Sequence, residues 1–448
     1  MHALVYGLAI TGASTVRALR SRGFDVTAAD DHVDQARTDL ADALGVALLP
    51  APRDPRAFAG QFDLVSPAPG LPERHPVIIA AREAGVPVHS EIELAYEWEQ
   101  ERPGGPRPIL AITGTDGKTT TTELTVAILR AAGVRTASLG NTDVPLVDGL
   151  DQDLDAYVVE CTSFRLAWTE RFRADAAVWL NLAPDHLNWH DSMASYEAAK
   201  ARIFSQQRPG DVAIGFVDDP VVKRHLRAAP GRHRTFGRSG ADYRLEGPEL
   251  VGPDGVIAHI DVMKRSLPHD VTNALAAAAL VLETRLATPD AIATALAEFE
   301  APPHRLEPVG AAAGVRWFND SKATTPHAAA TAVRAFESLV LIAGGSRKGV
   351  DLSPMAADAG RVRAVVAIGE AAADVRDVFE PSVRVVDAAS MAEAVELAAT
   401  LAQRGDAVVL SPGCASFDWY GGYPERGDDF RRLVADLVDN HESVEVTP

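Results

Sequence analysis

Residues 111–120, AITGTDGKTT, combine Gly114, Gly117, Lys118 and Thr119 at the spacing of a phosphate-binding loop, although the usual first glycine is replaced by Ile112. The apolar run ILAIT precedes this turn. Leu124, Ala127, Ile128 and Ala131 follow it at helical spacing, so the segment reads as strand, loop and helix. Glycines there let backbone N–H groups face one anion, the helix dipole adds to this, Lys118 reaches terminal phosphates, and Thr119 offers a hydroxyl to magnesium. A glycine-rich helix cap is the plainer alternative. AYVVE (156–160) ends an apolar strand in Glu160, either a simple strand terminus or a metal-holding acid of the Walker-B kind. VWLNLAPDHLNWH (178–190) carries Asp185 and His186 after another strand. In YEAAKARIF, Tyr196, Ala199, Lys200, Ile203 and Phe204 share one helical stripe, which sets Lys200 among apolar neighbours. Its stem could snorkel. A buried amine would instead have a lowered pKa and, when neutral, react with CO2 to give a carbamate, an oxygen ligand suited to magnesium.

The rest of the composition narrows the field. The chain has 448 residues and a formal charge of −19, which argues against nucleic-acid or anionic-membrane surfaces. Only six of its 43 basic residues are lysine: Lys118, Lys200, Lys223, Lys264, Lys322 and Lys348. In an arginine-rich chain a retained lysine suggests a need for a compact or titratable cation. Two cysteines, Cys161 and Cys414, supply neither a disulfide framework nor a zinc site, and no apolar run is long enough to span a bilayer. MHALVYG enters a strand directly, and a cytoplasmic protein is expected.

Strands and helices alternate throughout, as in parallel α/β sheets. ALVYG (3–7), a helix from about Ser14 to Arg22, DVTAAD (25–30), DLVSPAPG (63–70) and a helix near 75–84 form the first segment. ERPGGPRP (101–108) and EAPPHR (300–305) mark composition breaks. NALAAAALVLETRLA (273–287) reads as a packed helix, and VRWFND, LVLIAGG, VRAVVAIG, VRVVDA and AVVLSP are the strands of the last segment. Three α/β domains are expected, at 1–100, 101–302 and 303–448.

TGTDGKTT, ECTSF, NLAPDH, YEAAKARIF, HDVTNALAA, PPHR and NDSKATTP, in this order, resemble the Mur ligases, ATP-dependent amide ligases of peptidoglycan precursor synthesis. YGLAITGAS, SPAPGLP, GGSRKGVD and LSPGCASFDWYGGYPERGDDF extend the resemblance over the whole chain and make it strongest to the D-glutamate-adding branch. The shortened loop is the family's own form. The resemblance implies an N-terminal Rossmann-like domain for the UDP substrate, a central P-loop ATPase-like domain and a C-terminal Rossmann-like domain for the amino acid. It implies transfer of D-glutamate to UDP-N-acetylmuramoyl-L-alanine through an acyl phosphate, with ATP, two Mg2+ ions and a carbamylated Lys200, in a cytoplasmic monomer.

By the same resemblance Gly114, Thr115, Asp116, Gly117, Lys118, Thr119 and Thr120 hold ATP phosphates, Asn273 sits against adenine, and His304, Arg305 and Asp320 close over the nucleotide. Thr119, Glu160, His186 and Lys200 are the metal ligands, and Lys118, Lys200, His186 and Glu160 the catalytic set. Lys322, Thr324, Lys348, Ser416 and Tyr423 form the D-glutamate pocket, while Asn141 and Ser163 face the UDP substrate. GLAITG (7–12) lacks the middle glycine of a dinucleotide fingerprint, so a nucleoside diphosphate is expected there, with Thr11 near phosphate and Asp30 near uracil or ribose. Ser66, Pro67 and Gly70 line the same site. Asp116, Asp270 and Asn188 depart from the family's usual residues. The alternatives are a sister ligase with another acceptor, a folylpolyglutamate synthase, or a nucleotide-regulated binding protein. The N-terminal UDP segment and the set of Glu160, His186 and Lys200 weigh against the last two.

Overall fold

The computed structural model describes all residues except Asp143, Lys348, Pro381 and 446–448, and side chains up to Asp439. Lys348, expected in the amino-acid pocket, therefore lies outside the described residues. The chain forms two compact units: 1–266 with 270–299, and 267–269 with 300–448. The second break expected from composition, EAPPHR, falls at the change of unit after Phe299.

The first unit holds two parallel sheets. β1 (His2–Tyr6), β2 (Asp25–Asp30), β3 (Ala47–Pro50) and β4 (Leu64–Pro67) are ordered β3-β2-β1-β4. Leu4 and Tyr6 pack on one face and Ala3 and Val5 on the other, as the period of two in a strand covered on both faces requires. The helix after β1 begins at Ile10, earlier than the expected Ser14, and so draws Thr11 into its first turn.

The larger sheet uses β5 (Ile109–Thr113), β6 (Thr136–Gly140), β7 (Ala156–Glu160), β8 (Ala176–Trp179), β9 (Val212–Phe216) and β10 (Arg232–Phe236). Its order is β10-β9-β8-β5-β7-β6. β5 thus lies between two strands that follow it in sequence, at the point where the strand order reverses and α/β sheets place their ligands. Leu110 and Ile112 enter one core and Ile109 and Ala111 the opposite one. The alanine-rich segment is helical only to Glu283, in helix Pro268–Glu283, with residues 273–281 all buried and 284–287 beyond its end. Three short antiparallel strands, β11 (Arg244–Glu246), β12 (Glu249–Gly252) and β13 (Gly255–His259), complete the unit; their weak alternation gave no sequence signal.

The second unit is one six-stranded sheet of β14 (Glu307–Ala312), β15 (Val315–Asn319), β16 (Leu339–Gly344), β17 (Val362–Ile368), β18 (Arg384–Ala388) and β19 (Ala407–Gly413). The order is β14-β15-β19-β16-β17-β18, with only β14 antiparallel. All five strands expected there are present.

Candidate active site

The GTDGKT loop joins β5 to the helix Lys118–Ala131. Gly117 caps that helix at φ 83°, a left-handed conformation, and a Cβ on it would meet Asn273 Oδ1 at 2.8 Å. Asn273 also accepts from Thr121 Oγ1 at 3.3 Å, so it packs against the glycine turn and the first helical turn. Asn181, in the turn after β8, clasps the other side. Its Oδ1 accepts from the backbone N–H of Thr115 and of Asp116, both at 2.9 Å, and its Nδ2 donates to Asp116 O at 3.1 Å. Two loop amides are therefore spent on shape, which leaves anion contacts to the amides of the helix start, around half-exposed Lys118 and Thr119 and buried Thr120.

The carbonyl of Gly114 accepts from two lysines, Lys118 Nζ at 3.0 Å and Lys200 Nζ at 2.6 Å, and Lys118 also donates to Thr115 O at 2.7 Å. Lys200 is 1 % exposed. It stands on helix Met193–Ser205, whose buried residues are the five of the expected stripe, and whose start is fixed by a Ser192–Ser195 capping box. Its ammonium lies 4.7 Å from the centre of the Tyr196 ring. Burial first, then the charge of Lys118, lower its pKa well below the ordinary lysine value. The snorkelling alternative fails because the amine itself is enclosed.

Glu160 ends β7 opposite Ile112 of β5 and is 1 % exposed. Its Oε1 accepts from Asn141 Nδ2 at 2.8 Å, whereas Oε2 is buried without a hydrogen-bond partner. A buried carboxylate oxygen without a donor suits a cation ligand, so the residues present fit the family's metal chemistry. Among the described residues no group of three or more His, Cys, Asp and Glu side chains is placed to hold a metal ion. His186 has φ 56°, uncommon for a non-glycine residue, and its Nε2 lies 3.1 Å from Asp185 Oδ2. Burial lowers its pKa, and the charge of Lys118 adds to this effect against Asp185, which favours a neutral imidazole.

At the first sheet's C-terminal edge stand Thr11, Asp30, Ser66, Pro67 and exposed Gly70. Asp30 accepts from the N–H groups of Leu8 (2.8 Å) and His32 (3.0 Å) and from Arg37 Nε (3.1 Å). Its carboxylate shapes the loop at the expected uracil or ribose position. Ser163 is buried and its hydroxyl lies 2.9 Å from His190 Nε2. Thr11 and Asn141 meet through a residue not singled out in the sequence, Arg165.

In the second unit His304 has φ 63° and its Nδ1 lies 3.0 Å from Asn319 Nδ2. Asp320 accepts from Ser411 Oγ at 2.7 Å and Leu306 N at 3.1 Å, and burial pushes its pKa up to about 6. Arg305 lies between them in sequence, two residues before β14. Lys322 Nζ stands 3.9 Å over the Tyr423 ring, a cation–π contact, and Thr324 N donates to Lys322 O at 2.8 Å. Ser416 is buried in the loop after β19, its carbonyl accepting from Trp419 and Tyr420. Arg426, also not singled out in the sequence, is 1 % exposed and binds Ser321 Oγ and the carbonyls of Ser321, Cys414 and Ala415 at 2.9–3.1 Å. A Cβ on Gly345 would clash with Ala415 O and meet Arg426 Nη1 at 3.0 Å, which explains that glycine. Arg426 thus ties the NDSK turn to the GCAS loop.

The Mur ligase middle domain matches residues 112–281, and the Mur ligase glutamate ligase domain matches residues 304–414. A UDP-N-acetylmuramoylalanine--D-glutamate ligase of Frankia casuarinae is 41% identical over 96% of this chain and 93% of its own length. The chain belongs to the Mur ligase family. A second relative of the same name, from Myxococcus xanthus, is 39% identical over 97% of this chain and 98% of its own. Among solved Mur ligase structures, MurF ligase from Thermotoga maritima in complex with ADP has a TM-score of 0.59 at 16% identity, over 81% of this chain and 91% of its own. A pseudomurein peptide ligase from Methanothermus fervidus has a TM-score of 0.58 at 18% identity, over 97% and 99%. At these identities the structures show the shared α/β ligase fold.

Proposed function

We propose that this Mur ligase joins D-glutamate to UDP-N-acetylmuramoyl-L-alanine at the expense of ATP, in peptidoglycan precursor synthesis. The near full-length relatives of that name support the substrates. The observation that carries the chemistry is the unpartnered Oε2 of buried Glu160 beside a loop with two lysines on one carbonyl. In this reading the substrate carboxylate attacks the γ-phosphorus of ATP, giving an acyl phosphate and ADP. The D-glutamate amine then attacks the acyl carbon, inorganic phosphate leaves, and the amine gives up a proton.

Two anions must meet, so the protein's task is charge neutralisation and alignment. Lys118 exchanges the carbonyls of Gly114 and Thr115 for phosphate oxygens, and the first-turn amides hold the same group. Glu160, Thr119, His186 and carbamylated Lys200 hold magnesium, which when bound offsets phosphate charge. Carbamylation joins neutral Lys200 Nζ to the carbon of CO2 and releases one proton. Lys322, Thr324, Lys348, Ser416 and Tyr423 receive D-glutamate, whose carboxylates need cationic partners. Thr11, Asp30, Ser66, Pro67, Gly70, Asn141 and Ser163 serve the UDP substrate. His304, Arg305, Asp320 and Asn273 serve the nucleotide. A three-domain division, a monomeric state and a cytoplasmic location complete the proposal; among the described residues no helix is long and apolar enough to cross a membrane.

The test is phosphate release with ATP, Mg2+ and UDP-N-acetylmuramoyl-L-alanine, comparing D-glutamate with L-glutamate, L-alanine, L-lysine and meso-diaminopimelate. Turnover with D-glutamate alone is expected. Turnover with another amino acid, or with none, overturns the acceptor assignment.

A further inference from the structure

Arg165 lies on the short helix Ser163–Leu166 and is 3 % exposed. Its guanidinium makes three contacts from one plane. Nε donates to Glu91 Oε1 at 3.0 Å, Nη1 to Asn141 Oδ1 at 2.9 Å, and Nη2 to Thr11 Oγ1 at 3.3 Å. Asn141 in turn donates from Nδ2 to Glu160 Oε1 at 2.8 Å. Arginine has only donors and an ionised carboxylate only acceptors. An amide placed between them has one satisfied orientation: oxygen toward Arg165, nitrogen toward Glu160. The chain of contacts ends on the carboxylate whose other oxygen is unpartnered. Its other branch ends on the helix that follows β1, in the other parallel sheet of the same unit.

The geometry points to Arg165 as a positioning residue that locks the Asn141 amide, aims the free oxygen of Glu160, and links this to the Thr11 loop. This rests on the reading of Glu160 as a magnesium ligand. Groups that orient a metal ligand from behind typically change metal affinity or activity by about 10–100-fold when removed. Glu91 provides the contrast. It is buried, burial raises its pKa, and its carboxylate accepts from Arg165 Nε at 3.0 Å and from Val147 N at 3.3 Å, with neither bond going to Asn141 or Glu160. A purely structural Arg165 would matter only through that ion pair.

The experiment measures nucleotide binding by calorimetry as a function of Mg2+ concentration, for the full chain and three variants. Arg165→Met removes the donors at similar length. Arg165→Met/Glu91→Met also removes the carboxylate that the single change would leave buried and unpaired, so it keeps the test open if the single variant does not fold. Glu91→Gln keeps an acceptor for Arg165 Nε and leaves Asn141 locked. We expect the Mg2+ concentration for half-maximal enhancement of nucleotide binding to rise at least about 10-fold in the Arg165 variants. Glu91→Gln should stay within about 2-fold of the parent while losing thermal stability. An unchanged Mg2+ dependence in the Arg165 variants, or an equal shift in Glu91→Gln, overturns the proposal. If the parent protein itself shows no Mg2+-dependent nucleotide binding, the underlying metal reading falls instead, and this positioning role falls with it.

Discussion

The substitution Asp320→Asn should stabilise the protein above pH 6 and leave it little changed near pH 4. Asp320 is buried, and burial outweighs its hydrogen bonds from Ser411 Oγ and Leu306 N, so its pKa rises from 3.8 to about 6. Between these values the folded state binds more protons than the unfolded state, and stability falls as pH rises through that window. At about 1.4 kcal/mol per pKa unit, the two-unit shift costs the protein about 3 kcal/mol at neutral pH. The amide introduced by Asp320→Asn would carry no charge, accept from Leu306 through its oxygen and donate to Ser411 through its nitrogen. For a unit of this size about 3 kcal/mol corresponds to a rise of about 6–12 °C in melting temperature. The assay is calorimetric melting of both proteins from pH 4 to pH 8. The gap between them should open from pH 4 to 6 and then stay constant. A gap that is flat over the range, or that favours Asp at pH 8, refutes the account. If Asp320 acts on ATP as proposed, the stabilised variant should also be the less active one.

Asn181→Ala removes the side-chain acceptor of the Thr115 and Asp116 amides and the donor to the Asp116 carbonyl, and should raise the KM for ATP about 10-fold, roughly 1.4 kcal/mol. Circular dichroism should be unchanged, and an unaltered ATP KM would remove Asn181 from loop shaping. Lys200→Ala should abolish most turnover and regain part of it with added short carboxylates; full activity without them would dismiss the carbamate. Lys322→Met should raise the KM for D-glutamate at least about 10-fold with little change for ATP, because it removes the cation over Tyr423. A selective ATP defect would place Lys322 outside the amino-acid pocket.

Features that depend on neighbours in the chain were legible in the sequence. The GTDGKT turn needs only residues 114–119, and the stripe of Tyr196, Ala199, Lys200, Ile203 and Phe204 follows from helical period alone. The central strands β5, β7 and β8 of the larger sheet of the first unit were visible as apolar runs because both their faces are covered, whereas β6, β9 and β10 beside them were not singled out. β14 and the small antiparallel sheet were not, since their half-exposed strands are weakly patterned.

What folding alone decided is the set of groups that hold the functional ones. Asn181 reaches Thr115 across 66 positions, Arg165 reaches Thr11 across 154, and Arg426 reaches Ser321 across 105. Asn181 and Arg426 lie inside the NLAPDH and GGYPERGDDF motifs and Arg165 follows ECTSF, but no motif names the partner a side chain will reach, and an arginine in an arginine-rich chain gives no signal of burial. The sequence determined which side chains carry the chemistry, because loop glycines, a stripe lysine and a strand-end acid are defined locally. The tertiary structure decided how they are aimed, because a donor is satisfied only by an acceptor that the packed sheets bring to it.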